Sequence, residues 1–447
     1  MRFRIAAVAF AAAMAAGCAG VPTAEPSASA PRNIILFVGS GMGFNTLTAA
    51  RIYAVGESGD LAIDTLPESA FVKTYSNDRQ VTDEAAAMSA FLSGRKTNSG
   101  AFSVEGCPEG KPAPTLLELA AQRGMRTGLV TNVPVTDALI APAFVHGCSH
   151  PGGAVAAAAL VPGGAGFNAA LGQGIDVLLG GGAADFIQRA DGRDLLAELR
   201  AQDYAHVQNL SELDMPQAAR SKRLVGLFAP RDMAGDTARD VAKQPNMAQM
   251  TGEAIERLSR GGKGFVLVVA NGLIDRAAHQ SDARMVLEEV TAQDKALRTA
   301  IEAMQQRDPG LKNTLIVATA SHDSTLVMNG YSIITGKTTP TEPGVLGLLR
   351  SYSNGKIYKD GDGAAFTIIG FGNGPNRVDG KRPGTLDAAT VAAPHYQYES
   401  VIRMAPDAST HGGTDVYLGA IGAGAETFRG TIDNTEVFKL IKAAAGL

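Results

Sequence analysis

Asp275 and His279 lie four residues apart in the segment Ala270-Asn271-Gly272-Leu273-Ile274-Asp275-Arg276-Ala277-Ala278-His279. On a helix this spacing puts both side chains on one face. A carboxylate oxygen and an imidazole nitrogen can then meet at one point, a donor pair that zinc accepts. Alone, such a pair reads more often as a surface hydrogen bond than as a metal site. Two further histidines raise its weight. His322 follows Ser321 just past an apolar run, and His411 lies in the polar stretch Ser409-Thr410-His411-Gly412-Gly413-Thr414. Each by itself reads as a loop histidine.

These residues act together only if secondary structure brings them together. Short apolar runs at 33–38, 127–130, 176–179, 265–269, 314–319 and 416–421 read as buried strands, several ending in glycine-rich turns such as Gly39-Ser40-Gly41. Helical spacing follows Asn45 and recurs at 115–123, 249–259 and 283–307. Strands alternating with helices predict an α/β fold, a mostly parallel central sheet with helices on both faces. In such sheets ligands bind beyond the carboxyl ends of the strands, and Ser40, Asp275, Ser321 and His322 all stand just past strand ends. Positions 325–395 are rich in Gly and Pro with little periodicity. They read as a loop-rich crown inserted into one domain spanning 32–447.

The 447 residues are 45% hydrophobic, enough for a large core, and carry 40 basic against 44 acidic side chains. No basic block stands out, so a nucleic-acid surface is not expected. The chain opens with Arg2 and Arg4 and then an Ala-rich apolar stretch too short for a good membrane span, which reads as a signal peptide over 1–17. Its end, Met14-Ala15-Ala16-Gly17-Cys18, is similar to a bacterial lipobox. The expectation is an exported, periplasmic protein anchored through a lipid on Cys18. The alternative is an ordinary signal peptide cut nearby. Residues 18–31 would then form the lipidated cysteine and a flexible tether. Ala19 lacks the acidic character that retains lipoproteins at an inner membrane, which favours the outer one. Cys107 and Cys148 have an oxidising compartment in which to pair, but their sequence separation leaves the pairing open.

The order of motifs adds more than any one of them. A strand with Gly39-Ser40-Gly41-Met42-Gly43 is followed by Val81-Thr82-Asp83-Glu84-Ala85, then by Gly94-Arg95-Lys96-Thr97-Asn98-Ser99-Gly100. Ile274-Asp275-x-x-x-His279, Thr319-Ala320-Ser321-His322 and Thr410-His411-Gly412 complete the series. From about Asn33 to the C-terminus this order resembles the alkaline phosphatase family. The resemblance implies phosphate monoester hydrolysis with two zinc ions and a magnesium ion. In that chemistry a serine at a helix N-terminus attacks phosphorus and an arginine clamps the phosphoryl oxygens.

Mapped onto this chain, the resemblance makes Asp275, His279 and His411 the ligands of a first zinc. It makes His322 the surviving ligand of a second, whose two aspartates are replaced by Ser40 and Ser321. Glu84 stands at the nucleophile's position and His150 near that of the clamping arginine. Leu139 and Ala270 fall where the family has magnesium ligands. A serine hydroxyl is a poor substitute for a carboxylate on a divalent cation, and imidazole lacks the bidentate fork of guanidinium. One zinc is therefore expected, and a second zinc or a magnesium is not. The expected function is a metal-binding family member with strongly reduced or lost phosphatase activity, Glu84 reaching into the phosphate space. It would take a small phosphorylated or other anionic ligand. One alternative is an active hydrolase of phosphate or sulfate esters with altered one-metal chemistry. Another is a lipoprotein whose metal merely staples the fold. Oligomeric state stays open, with a homodimer among the options.

Overall fold

Asn33–Gly39 is the strand from which the sheet extends on both sides. Its Ile-Ile-Leu-Phe-Val run is wholly buried. It pairs in parallel with Thr314–Ala320 on one side and Phe265–Asn271 on the other. This is a computed structural model describing residues 32–447 except 214, 216–219, 383 and 406–407. The expected signal peptide, Cys18 and the tether lie outside the described residues.

The main sheet has ten strands. From edge to edge they are Gly430–Asp433, Glu68–Lys73, Val416–Gly422, Thr314–Ala320, Asn33–Gly39, Phe265–Asn271, Arg126–Pro134, Val177–Gly181, Arg223–Leu227 and Tyr204–Val207. Every pairing is parallel except the two made by Val416–Gly422, which runs against its neighbours. Helices cover the sheet. They include Phe44–Val55, Met247–Leu258, the 25-residue Ala283–Arg307 and the C-terminal Asn434–Ala445. Over 326–403 the chain forms a separate three-stranded sheet of Leu326–Met328, Ile369–Gly374 and Ser400–Arg403, joined by loops and single turns of helix.

Register explains why distant residues converge. Gly39 lies opposite Ala320 on one neighbour and Asn271 on the other. The next residues in the three chains, Ser40, Ser321 and Gly272, therefore leave the sheet side by side. The helix Leu273–His279 starts at once after Gly272. Asp275 is thus presented about a turn above the central strand.

Four strands had no clear sequence signal: Glu68–Lys73, Tyr204–Val207, Arg223–Leu227 and Gly430–Asp433. Tyr204–Val207 and Gly430–Asp433 have four residues each and lie at the sheet edges, where one side meets solvent and the apolar pattern thins. Glu68–Lys73 is an inner strand with one open face and buries only Ala70 and Val72.

Cys107 and Cys148 are joined by a disulfide that closes a 41-residue separation. On chain-entropy grounds a loop of this size is worth about 4 kcal/mol against the unfolded state. The double variant Cys107→Ser/Cys148→Ser is expected to lose about 2–4 kcal/mol of unfolding free energy, seen as a lower midpoint in urea. Coincident urea curves for the oxidised protein and the variant would count against any stabilising role.

Candidate metal centre

Asp275 is the centre of the site. It is 2% exposed, and its Oδ2 lies 3.1 Å from His279 Nε2 and 3.7 Å from His411 Nε2. Donors about 2.0–2.2 Å from one tetrahedral ion lie roughly 3.3–3.6 Å apart, so these separations suit a shared zinc. The three donor atoms all fall within 4.8 Å of one another. The sequence-predicted trio is therefore brought together. Its two imidazoles stay partly exposed, which leaves an approach for a further ligand.

Hydrogen bonds fix the ring tautomers. His411 Nδ1 lies 2.8 Å from the Thr82 carbonyl, and His322 Nδ1 lies 3.0 Å from the Asp323 carbonyl. A carbonyl only accepts, so both Nδ1 atoms carry the proton and donate it. In the neutral rings each Nε2 is then a bare lone pair turned into the site, the arrangement common in metal-binding histidines. The two rings stack at 3.7 Å between centroids and 7° between planes. Total burial, with His411 adding, drives His322 down to about 3, so it is neutral. Asp275 is pulled the other way. Burial opposes its charge, but the hydrogen bond from His279 and the surrounding imidazoles hold it below the ordinary carboxylate range. The same bond raises His279, whose buried Nδ1 has no protein partner.

Two glycines make room for this packing. Gly41 has φ +73°, and a Cβ there would sit 3.1 Å from Asp275 Oδ1. A Cβ on Gly43 would sit 1.6 Å from Asp323 Oδ1. The Gly39-Ser40-Gly41-Met42-Gly43 turn can therefore lie against both acids only without side chains at these positions.

Glu84 opens the helix Glu84–Ser93, every residue of which is buried. Asp83 caps it, accepting from the Ala86 N–H at 2.8 Å. Glu84 Oε1 accepts from Ser40 Oγ at 2.7 Å. Ser40 Oγ also lies 3.4 Å from His322 Nε2, and Ser321 Oγ donates to Ser40 Oγ at 3.4 Å. Glu84, Asp275 and His322 form a second group of donors within 4.8 Å of one another. Burial pushes the Glu84 carboxyl up to about 8, with Asp137 and Asp275 adding to the effect. Ser89, the next serine on this helix, faces away. Its hydroxyl lies 2.7 Å from the Ala85 carbonyl and accepts from Ser103 N–H at 2.8 Å.

Arg276 is a site residue that sequence reading passed over. Its guanidinium bonds Asp137 at 2.6 Å and lies 3.7 Å from Asp232 and 4.0 Å from Glu84. It neighbours Asp275 in sequence, and one helical step of about 100° turns it from the trio toward Glu84. That adjacency was the available signal. Asp137 and Asp232 come from loops and carried none.

His150 does not join this group. It is exposed, its ring packs edge-on against Phe102, and its Nδ1 accepts from the Gly152 N–H.

A family model described as alkaline phosphatase matches residues 31–447. This chain belongs to the alkaline phosphatase family. The tissue-nonspecific alkaline phosphatase of Rattus norvegicus is 31% identical over 443 residues, covering 89% of this chain and 80% of its own. Alkaline phosphatase 4 of Drosophila melanogaster is 30% identical, covering 90% and 74%. Among solved structures, the alkaline phosphatase of Thermus thermophilus superposes with a TM-score of 0.69 at 25% identity, covering 94% of this chain and 93% of that one. The enzyme from the Antarctic bacterium TAB5 matches in fold, with a TM-score of 0.68 at 20% identity over 94% and 99%.

Leu139 and Ala270, at the positions where the resemblance implies magnesium ligands, are fully buried apolar side chains and offer no donor. Beside Ala270 the polar load is structural. Asn271 and Asn132 both donate to Glu289 Oε2, at 3.1 and 2.9 Å, and Asn132 Oδ1 accepts from Gly272 N–H. This network pins the strand end from which Asp275 is launched.

The trio predicts its own test. His411→Ala should weaken zinc by more than the roughly 10–100-fold typical of losing an outer-shell partner, measured by competition with a chromogenic chelator. Wild-type affinity in that variant would exclude His411 as a ligand.

Proposed function

We propose that this chain is a metal-binding alkaline phosphatase homologue, a phosphate monoester hydrolase by ancestry, in which monoester turnover is strongly reduced or lost. The observation that carries the reading is the Glu84 carboxylate, held by Ser40 beside Asp275 and His322. The resemblance puts the attacking serine at this position. A carboxylate of this length cannot take its place without filling the phosphate space.

Electrostatics points the same way. Arg276 is the guanidinium that reaches this space, and Asp137, Asp232 and Glu84 already surround it. With Asp275 that sets four carboxyl groups around Arg276, an arrangement that disfavours a phosphate dianion beside them. When bound, zinc would supply charge stabilisation to an anionic oxygen. Asp275, His279 and His411 would hold it, and Thr82 and the stacked His322 would orient His411. Loss of one major electrostatic element typically costs about 10²–10³ in rate. Here a nucleophile, a clamp and two acidic ligands differ together, and such elements act as a unit.

The partly exposed faces of His279 and His411 support a second reading, a hydrolase of phosphate or sulfate esters with altered one-metal chemistry. We further propose export and attachment through a lipid on Cys18, in keeping with the Cys107–Cys148 bridge. No helix among the described residues is long and apolar enough to cross a membrane.

The zinc-loaded protein is expected to turn over p-nitrophenyl phosphate and its diester at background rates. The triple variant Glu84→Ser/Ser40→Asp/Ser321→Asp should gain at least about 10²-fold. Zinc-dependent turnover by the unaltered chain that disappears in Asp275→Ala would establish the second reading instead.

A further inference from the structure

We propose that Glu84, His322 and Asp275 form a second divalent-cation site, in which Glu84 replaces the carboxylates that Ser40 and Ser321 do not provide. The inference concerns the same site as the functional reading above and rests on it only for the identity of that site. It reassigns Glu84 from an obstruction in the phosphate space to a ligand.

Proton accounting carries the proposal. His322 is fully buried and its Nδ1 proton is committed to the Asp323 carbonyl, so Nε2 is a lone pair. The polar neighbour nearest that nitrogen is Ser40 Oγ at 3.4 Å. Ser40 owns one hydroxyl proton, and the 2.7 Å contact to Glu84 Oε1 claims it. Ser321 spends its proton on Ser40. Donor atoms of Glu84, His322 and Asp275 therefore converge within 4.8 Å of one another. All three residues are buried, so water cannot screen the two carboxylates from each other. Arg276 stands 4.0 Å from Glu84 and is engaged at 2.6 Å by Asp137. A divalent cation satisfies all three donors at once.

A proton offers the competing solution. A protonated Glu84 would donate to Ser40, and Ser40 to His322. The last link would span 3.4 Å, the same separation at which Ser321 meets Ser40, and Asp275 would gain nothing from it. Mixed imidazole and carboxylate donors suit zinc. With Asp275 common to both groups, two ions would share one carboxylate.

Metal counting on the full-length, zinc-equilibrated and dialysed protein tests this without reference to turnover. Mass spectrometry should find two zinc ions per chain in the wild type and one in each of Glu84→Gln and His322→Ala. The pair Glu84→Gln/His411→Ala should hold none. Circular dichroism identifies variants that remain folded. Cobalt substitution gives a second readout on the wild type itself, since two distinct visible absorption components should titrate in, one of them missing from Glu84→Gln. One ion in the wild type, or two retained in folded Glu84→Gln, would overturn the proposal. One ion with background turnover leaves the functional reading standing. Two ions with robust turnover leave the second site standing and remove that reading.

Discussion

Burying the Asp275 carboxylate is the constraint on which the rest of this site depends. A charge almost wholly removed from water is costly unless it is paired and hydrogen-bonded. The fold meets that cost with three imidazoles drawn from three segments. His279 comes from the same helix, His322 from the end of Thr314–Ala320, and His411 from the loop before Val416–Gly422. His322 and His411 are oriented from behind by backbone carbonyls. The parallel register of the central strands makes this convergence possible. Any slip of one residue would turn Ser40 or Ser321 to the opposite face and dissolve the cluster.

The features that sequence exposed and those it hid follow from this physics. Buried central strands are continuous apolar runs, so Asn33–Gly39, Phe265–Asn271 and Thr314–Ala320 were legible almost to the residue. The helix Ala283–Arg307 was legible from its helical spacing, with Ala283, Val286, Leu287, Val290, Leu297, Ala300 and Met304 on the buried face. Asp275 and His279 were visible because a helix converts a fixed spacing into a shared face. His411 acquired meaning only from the order of motifs, since nothing local distinguishes it from a surface histidine.

Contacts made through space were illegible. Arg276 meets Asp137 across 139 positions of sequence, and no periodicity encodes that distance. Glu84 was legible as a departure from the family pattern, but not in the direction of its side chain. The resemblance points it into the phosphate space, and the structure groups its carboxyl with His322 and Asp275. His150 lies apart from this group. His146, four residues before it, is held by Glu118 and the Ser103 carbonyl, both at 2.7 Å, while His150 itself is exposed.

The three unusual positions form a set. Ser40 Oγ lies 2.7 Å from Glu84 Oε1. An aspartate at position 40 would press a second carboxylate onto the first, and like charges this close cannot both ionise. Serine there removes the repulsion and supplies the hydrogen bond that holds Glu84. Ser321, 3.4 Å behind Ser40, extends the same hydroxyl chain and keeps a third carboxylate away. A serine at position 84 would restore a hydroxyl but leave His322 Nε2 and Ser40 without an acid to organise them. Two carboxylates have left the rim of the site and one has entered its middle. Under the proposed reading, that exchange preserves a partner for His322 and sets a carboxylate where the resemblance puts the attacking serine, so the donors that could hold metal stay together around Asp275.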